Sequence, residues 1–187
     1  MRMNTPMLHE APMTAGMLHT LSDRALLHRY AMALLPVHGL GANPRAKAGF
    51  QYRVDLPGDV LGSDQAVRFS WRGAGSGRVE VEAGQELQVM VRVAASSRVD
   101  GRMVAWPDAV AWEKARALLE RHGLGLQEDL VRDPLVVGPV VMGVAGAQRD
   151  LLARVVVADD VLAQAAFDNG VGRAKNYGLG MLLVAGG

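Results

Sequence analysis

The chain contains no cysteine. That absence excludes disulfides, thiolate metal sites and a cysteine nucleophile, and it fits a reducing compartment. A surplus of one charge is also missing: 20 Lys and Arg stand against 19 Asp and Glu, a net charge of +1. Any nucleic-acid contact must therefore come from a local basic patch rather than from a generally cationic surface. Long apolar runs are absent too. The longest mostly apolar stretch, PLVVGPVVMGVAG at 134–146, is broken by Pro139 and three glycines, and a membrane helix needs about 20 apolar residues. The N-terminal MRMNTPMLHEAPMTAGMLHTL lacks the continuous apolar core of a signal peptide. Together these features predict a soluble, cytoplasmic protein with no membrane partner.

What is present is a chain of 187 residues, 50% hydrophobic, long enough for one large domain or two small ones around a proper core. A first strand fits within 7–15. LSDRALLHRYAMALLP (21–36) predicts a helix capped by Ser22 or Asp23, with Leu26, Leu27, Tyr30, Ala31 and Leu34 as its apolar stripe and Pro36 as its stop. Alternation predicts strands at 50–56, 66–71 and 78–83, and the best strand at 85–96, with Leu87, Val89, Val91 and Val93 on one face. The stretch 96–106 reads as a loop. A helix capped by Asp108 follows and ends at Gly123. A strand with irregular flanks falls within 124–143, a strand at 150–159, a short helix capped by Asp159 or Asp160 and ended by Gly170, and a last strand at 180–185.

From Gln85 onward the order is strand, helix, strand, strand, helix, strand, which is the ferredoxin-like order. The first half follows the same plan without its second helix. The prediction is an α+β protein of two tandem ferredoxin-like (RRM-like) domains, 1–84 and 85–187, the first lacking its second helix.

NGVGRAKNYGLGMLLV (169–184) is the most distinctive stretch. Its glycines are not a dinucleotide fingerprint, because they follow a helix and lead into a strand near the chain's end. No phosphate-loop pattern ending in Gly-Lys-Ser/Thr occurs. Glycines beside Arg173 and Lys175 suit contact with a phosphate backbone; a helix cap and tight turn with solvated basic side chains is the plainer alternative.

GVGRAKNYGLGMLLVA resembles the C-terminal glycine-rich loop of the CRISPR repeat-RNA endoribonucleases, specifically the CasE-type subunit of the Cascade complex within the RAMP superfamily. LLHRYAMALLP (26–36) resembles that family's first helix, and LQVMVRVAASSR (87–98) the strand opening its second domain. A divergent relative, the processing subunit of a type IV CRISPR system, is compatible with the low net charge. The resemblance implies two tandem ferredoxin-like domains and cleavage of precursor RNA at the 3′ base of the repeat hairpin, without metal or other cofactor. It also implies retention of the product among the other effector-complex subunits. A non-catalytic hairpin-binding subunit and a small-molecule ferredoxin-like enzyme are the competing functions.

By the match of LLHRYAMALLP, His28 falls on the family's catalytic histidine, with Arg24 one turn earlier on the same flank. A histidine can take or give a proton near neutral pH, so His28 serves as base or acid. Some family members carry a tyrosine three residues before this histidine; Ala25 stands there, so that role is vacant or filled elsewhere. Tyr30 reads as a core aromatic and His38 as a secondary candidate. His9, His19 and His122 show no metal-ligand spacing. Backbone contacts to RNA are expected from Gly170, Gly172, Arg173 and Lys175, with Tyr177 packing. A second basic set comprises Arg92, Arg98 and Arg102, of which Arg98 and Arg102 are the stronger candidates. Arg45, Lys47 and Arg53 flank the first loop.

Overall fold

A computed structural model describes residues 6–34, 49–59, 63–73, 78–127 and 148–184, and for Arg24 and Asp108 the backbone alone. The first unit contains β1 (Met7–Pro12), α1 (Ala15–Ser22), α2 (Arg24–Ala33), β2 (Gln51–Asp55) and β3 (Ala66–Arg72). Its sheet has the order β1-β3-β2, all antiparallel. The helix expected at 21–36 is α2, and a further helix, α1, precedes it. Thr14 caps the first by accepting from the Met17 amide, and Asp23, in extended conformation, caps the second by accepting from Ala25 and Leu26. Those two amide hydrogen bonds, Leu26 and then Ala25, hold the exposed Asp23 carboxyl below its ordinary range. Leu21, Leu27 and Ala31 turn inward against Tyr52, Val54, Val67 and Phe69.

The second unit contains β4 (Glu86–Ala94), β5 (Ser96–Val99), β6 (Arg102–Ala105), α3 (Asp108–Glu120), β7 (Leu124–Leu126), β8 (Gln148–Val157), α4 (Asp160–Asn169) and β9 (Leu182–Val184). Its sheet has the order β7-β8-β4-β9 with every pair antiparallel, the arrangement of a ferredoxin-like domain. As the alternation predicts, Leu87, Val89, Val91 and Val93 lie in one core, together with Leu119, Phe167 and Leu182.

Three expectations are corrected. The stretch 96–106 is a hairpin, β5–β6, rather than a loop. Asp100 and Gly101 both have positive φ (46° and 80°), as the two-residue turn joining Val99 to Arg102 requires. Segment 78–83 is not a strand. Its Val81 amide and Val79 carbonyl bond to the side chain of Gln164, and Val79 and Val81 enter the core of the second unit, across the division expected at 84/85. Among the described residues the first sheet accordingly has three strands. Finally, α3 is preceded by Pro107 at its cap position, without a side-chain cap, and Asp108 is its first residue. The expected strand within 124–143 begins with β7, and residues 128–147 lie outside the described residues.

The two sheets meet through faces that alternation alone would assign to solvent. Gln51, Arg53 and Asp55 alternate with the core residues Tyr52 and Val54, yet all five residues of β2 are buried. Arg92 and Asp150 are cross-strand partners on β4 and β8. Arg92 donates to Asp150 at 2.9 and 2.7 Å, to Asp59 at 3.0 Å and to the Val54 carbonyl at 2.6 Å. Arg53 donates to Asp55 at 2.7–2.9 Å and to Asp150 at 3.0 Å. This corrects the reading of Arg53 and Arg92 as RNA-facing cations: both are fully enclosed and spent on carboxylates. Nearby, Arg72 of β3 donates to the carbonyls of Phe167 and Leu182, and Gln51 also reaches Phe167. Burial pushes the Arg72 guanidinium down to about 10, partly opposed by the charge of Asp168.

Removing one member of such a cluster leaves an uncompensated buried charge. Arg92→Ala is expected to lose about 3–5 kcal/mol of stability, read from the midpoint of chemical denaturation. Burial alone would raise the Asp150 carboxyl, but hydrogen bonds and charge from Arg92 and Arg53 outweigh it and hold the group below 3.8. A depressed native carboxyl contributes stability above its unfolded pKa and loses it as pH falls through the native one. Acid unfolding is therefore expected to steepen below about pH 4, and Asp150→Asn should flatten that limb of the stability–pH curve.

Candidate active site

The glycine-rich segment leaves α4 at Gly170 and returns to the sheet at β9. Its base is closed on itself: the Val171 amide donates to the Gly180 carbonyl at 2.8 Å, and the Gly180 amide donates to the Arg92 carbonyl at 2.8 Å. Gly180 has φ +80°, and a Cβ there would sit 2.0 Å from the Val171 carbonyl oxygen, so no side chain can be accommodated. Gly170 is buried, and its amide donates to the Ala166 carbonyl to end α4. That amide is therefore used within the chain, which corrects the expectation that it faces a ligand. The Lys175 ammonium donates to the Gly170 carbonyl at 2.8 Å, bracing the loop. Gly172 and Arg173 are exposed at its outer bend.

Between Ala174 and Gly178 the segment makes a single 3₁₀ turn, Lys175–Tyr177. Ala174 adopts the left-handed conformation at φ 61°, a strained setting for a residue with a Cβ. The turn crosses to the first unit, where Tyr177 packs against the core around Tyr52, as expected for a packing residue. The Asn176 carbonyl receives the Tyr52 hydroxyl at 2.6 Å and faces Nδ1 of His28 at 3.1 Å. A carbonyl only accepts, so Nδ1 carries the hydrogen, and in the neutral ring Nε2 holds the lone pair. His28 is half-buried on the flank of α2, next to Leu27, which points into the core.

Thus the imidazole from the N-terminal half and the glycine segment from the C-terminal half meet across 148 positions of sequence. Sequence reasoning found these two elements but missed Tyr52 and Asn176. Tyr52 reads only as an alternating strand residue, and Asn176 contributes through its main chain, which no residue type announces. Arg24 is the first residue of α2, one turn before His28. Arg98 and Arg102 are exposed on the β5–β6 hairpin. Tyr30 packs against the first core and lies 3.1 Å from His9 Nε2. His122 is bonded to the Leu118 carbonyl at 2.7 Å. His38, Arg45 and Lys47 lie outside the described residues. Among the described residues, no group of three or more His, Asp or Glu side chains is placed to hold a metal ion, and no helix is long and apolar enough to cross a membrane.

Two tandem ferredoxin-like units, with a histidine on the first helix pair of one and a glycine loop before the last strand of the other, define the fold class. In particular, the chain has the fold of the Cse3 CRISPR endoribonucleases. It superimposes on a CRISPR endoribonuclease Cse3 bound to a 19-nucleotide RNA with a TM-score of 0.71 at 19% identity, covering 96% of this chain and 97% of that one. For Thermus thermophilus Cse3 bound to an RNA representing a pre-cleavage complex, the TM-score is 0.67 at 21% identity, with 96% and 97% covered. A chain of a CRISPR RNA-guided surveillance complex matches with a TM-score of 0.56 at 18% identity, with 95% and 98% covered. No family model and no curated protein matches the sequence.

Replacing Gly180 by Ala forces a Cβ onto a backbone oxygen at positive φ. Gly180→Ala is expected to cost at least about 1–3 kcal/mol, measured by denaturant unfolding. Tyr52→Phe, which removes one donor to the Asn176 carbonyl, should cost about 0.5–1.5 kcal/mol.

Proposed function

We propose that this protein binds the hairpin of a CRISPR repeat RNA and cuts the strand at the hairpin's 3′ base. The observation that carries this reading is the contact of His28 with the glycine segment at Asn176, within a fold shared with RNA-bound endoribonucleases. In the neutral ring, Nε2 of His28 takes the proton of the 2′-hydroxyl. The 2′-oxygen bonds to the adjacent phosphorus, the bond from phosphorus to the 5′-oxygen breaks, and that oxygen takes a proton from solvent. The products are a 2′,3′-cyclic phosphate and a 5′-hydroxyl, and no metal is required. The tether at Nδ1 fixes both the tautomer and the direction of the ring, so the base is preorganised.

The supporting charges come from three places. Arg24 lies one turn before His28, Arg173 and Gly172 are exposed on the loop, and Arg98 and Arg102 stand on the β5–β6 hairpin. Base-paired RNA offers mainly phosphates, 2′-hydroxyls and shape, which such scattered guanidiniums can grip. Lys175 acts chiefly through the loop it braces. The protein then keeps the cleaved hairpin and remains with the other subunits of a CRISPR effector complex in the cytoplasm, in keeping with the fold it shares with a chain of an RNA-guided surveillance complex.

The deciding experiment incubates the purified protein with a CRISPR repeat transcript from its own genome in the presence of EDTA. Wild type should cleave. His28→Ala should lose about 10²–10⁴-fold in rate while hairpin affinity survives, and that affinity should fall steeply with salt. Undiminished cleavage by the variant would discard His28 as the base. Hairpin binding by a wild-type protein that never cleaves would assign it the role of a structural subunit.

A further inference from the structure

Beside the outer bend of the glycine segment, the second unit holds a cavity of about 610 Å³, within the range of small-ligand sites. Val93 and Leu118 contribute to an apolar floor, and Trp106, Lys114, Arg121 and Arg173 contribute to the rest of the wall; among the described residues no acidic one lines it. The Lys114 ammonium and the Arg173 guanidinium both lie over the Trp106 ring, at 5.1 and 5.7 Å from its centre. Among the described residues no carboxylate pairs with either, and Arg121 bonds only to the Ala117 carbonyl. Two cations share one half-buried indole and a third, Arg121, lines the same cavity; they repel one another, and the ring's quadrupole offsets only part of that. An anion would complete the group.

We infer that this cavity takes one unpaired nucleotide of the RNA strand, its phosphate between Lys114 and Arg173 and its base against Trp106 and the apolar floor. The chemistry is that of a nucleotide: a planar ring for the indole and an anion for the cations. Continuity favours a nucleotide that is part of the strand. Arg173 belongs to both the glycine segment and the cavity, and Trp106 directly follows β6, the strand that carries Arg102. The inference rests on the RNA-binding reading above and extends it to the single-stranded segment next to the hairpin.

The test uses the full chain carrying His28→Ala, so that RNA stays intact, and measures affinity for the repeat hairpin alone and for the hairpin extended by single-stranded nucleotides on its 5′ or its 3′ side. One extension should tighten binding by about tenfold, the scale of a single base stack. Trp106→Ala should abolish that increment and leave affinity for the bare hairpin unchanged. Lys114→Glu, an exposed change on α3 that leaves the core intact, should do the same. If the bare hairpin binds but neither extension adds affinity, or if both variants retain the increment, the site is overturned while the hairpin reading stands. If no hairpin binds, that reading fails, and quenching of Trp106 fluorescence by free adenosine monophosphate would then show a site for a free nucleotide, overturning the strand-bound form.

Discussion

The buried cluster of Arg53, Arg92, Asp55, Asp59 and Asp150 is the constraint on which the rest of the molecule depends. It sits where the face of β2 meets the face of β4 and β8. Two guanidiniums have fixed, planar donor sets, and each must satisfy carboxylates from more than one strand. A slip of β2 by one residue would rotate Arg53 and Asp55 into the hydrophobic core of the first unit. The cluster specifies one docking of the two sheets.

That docking has a direct consequence at the surface. Tyr52 lies between Gln51 and Arg53 on β2, pointing to the opposite side into the first core. Its hydroxyl reaches the Asn176 carbonyl, the same atom that orients His28. The Gly180 amide, at the base of the same segment, is bonded to the carbonyl of Arg92 itself. The electrostatic cluster and the imidazole tether are thus joined through two short backbone paths, one along β2 and one along β4. The contact joins the two units, and each half alone lacks either the imidazole or the carbonyl that faces it.

The glycines of the segment do a different task from the one their pattern implies. Gly170 and Gly180 face their own chain, where a Cβ would strike the main chain, whereas Gly172 and Arg173 at the outer bend are exposed. A glycine pattern reports that backbone must pass closely to something, and whether that is a ligand or another turn of the same loop depends on folding. The Asp100–Gly101 turn is the reverse case: a dipeptide with a strong local meaning, legible in the sequence as a hairpin signal, between strands of only four residues each.

The sequence by itself determined the ferredoxin-like frame of the second unit apart from the β5–β6 hairpin, the apolar face of β4 at Leu87, Val89, Val91 and Val93, and the caps of α2 and α4 to within one residue each, and it singled out His28 and the C-terminal glycine segment. These are local or periodic properties, written in side-chain spacing and backbone freedom. Tertiary structure alone decided that both faces of β2 and of β4 from Val89 to Val93 are buried, that Arg53 and Arg92 serve aspartates rather than RNA, and that Val79 and Val81 join the second core. It alone placed the Asn176 carbonyl against the imidazole. Period-two alternation says which residues share a face but not whether water or another sheet covers it, and that is settled only when distant strands meet.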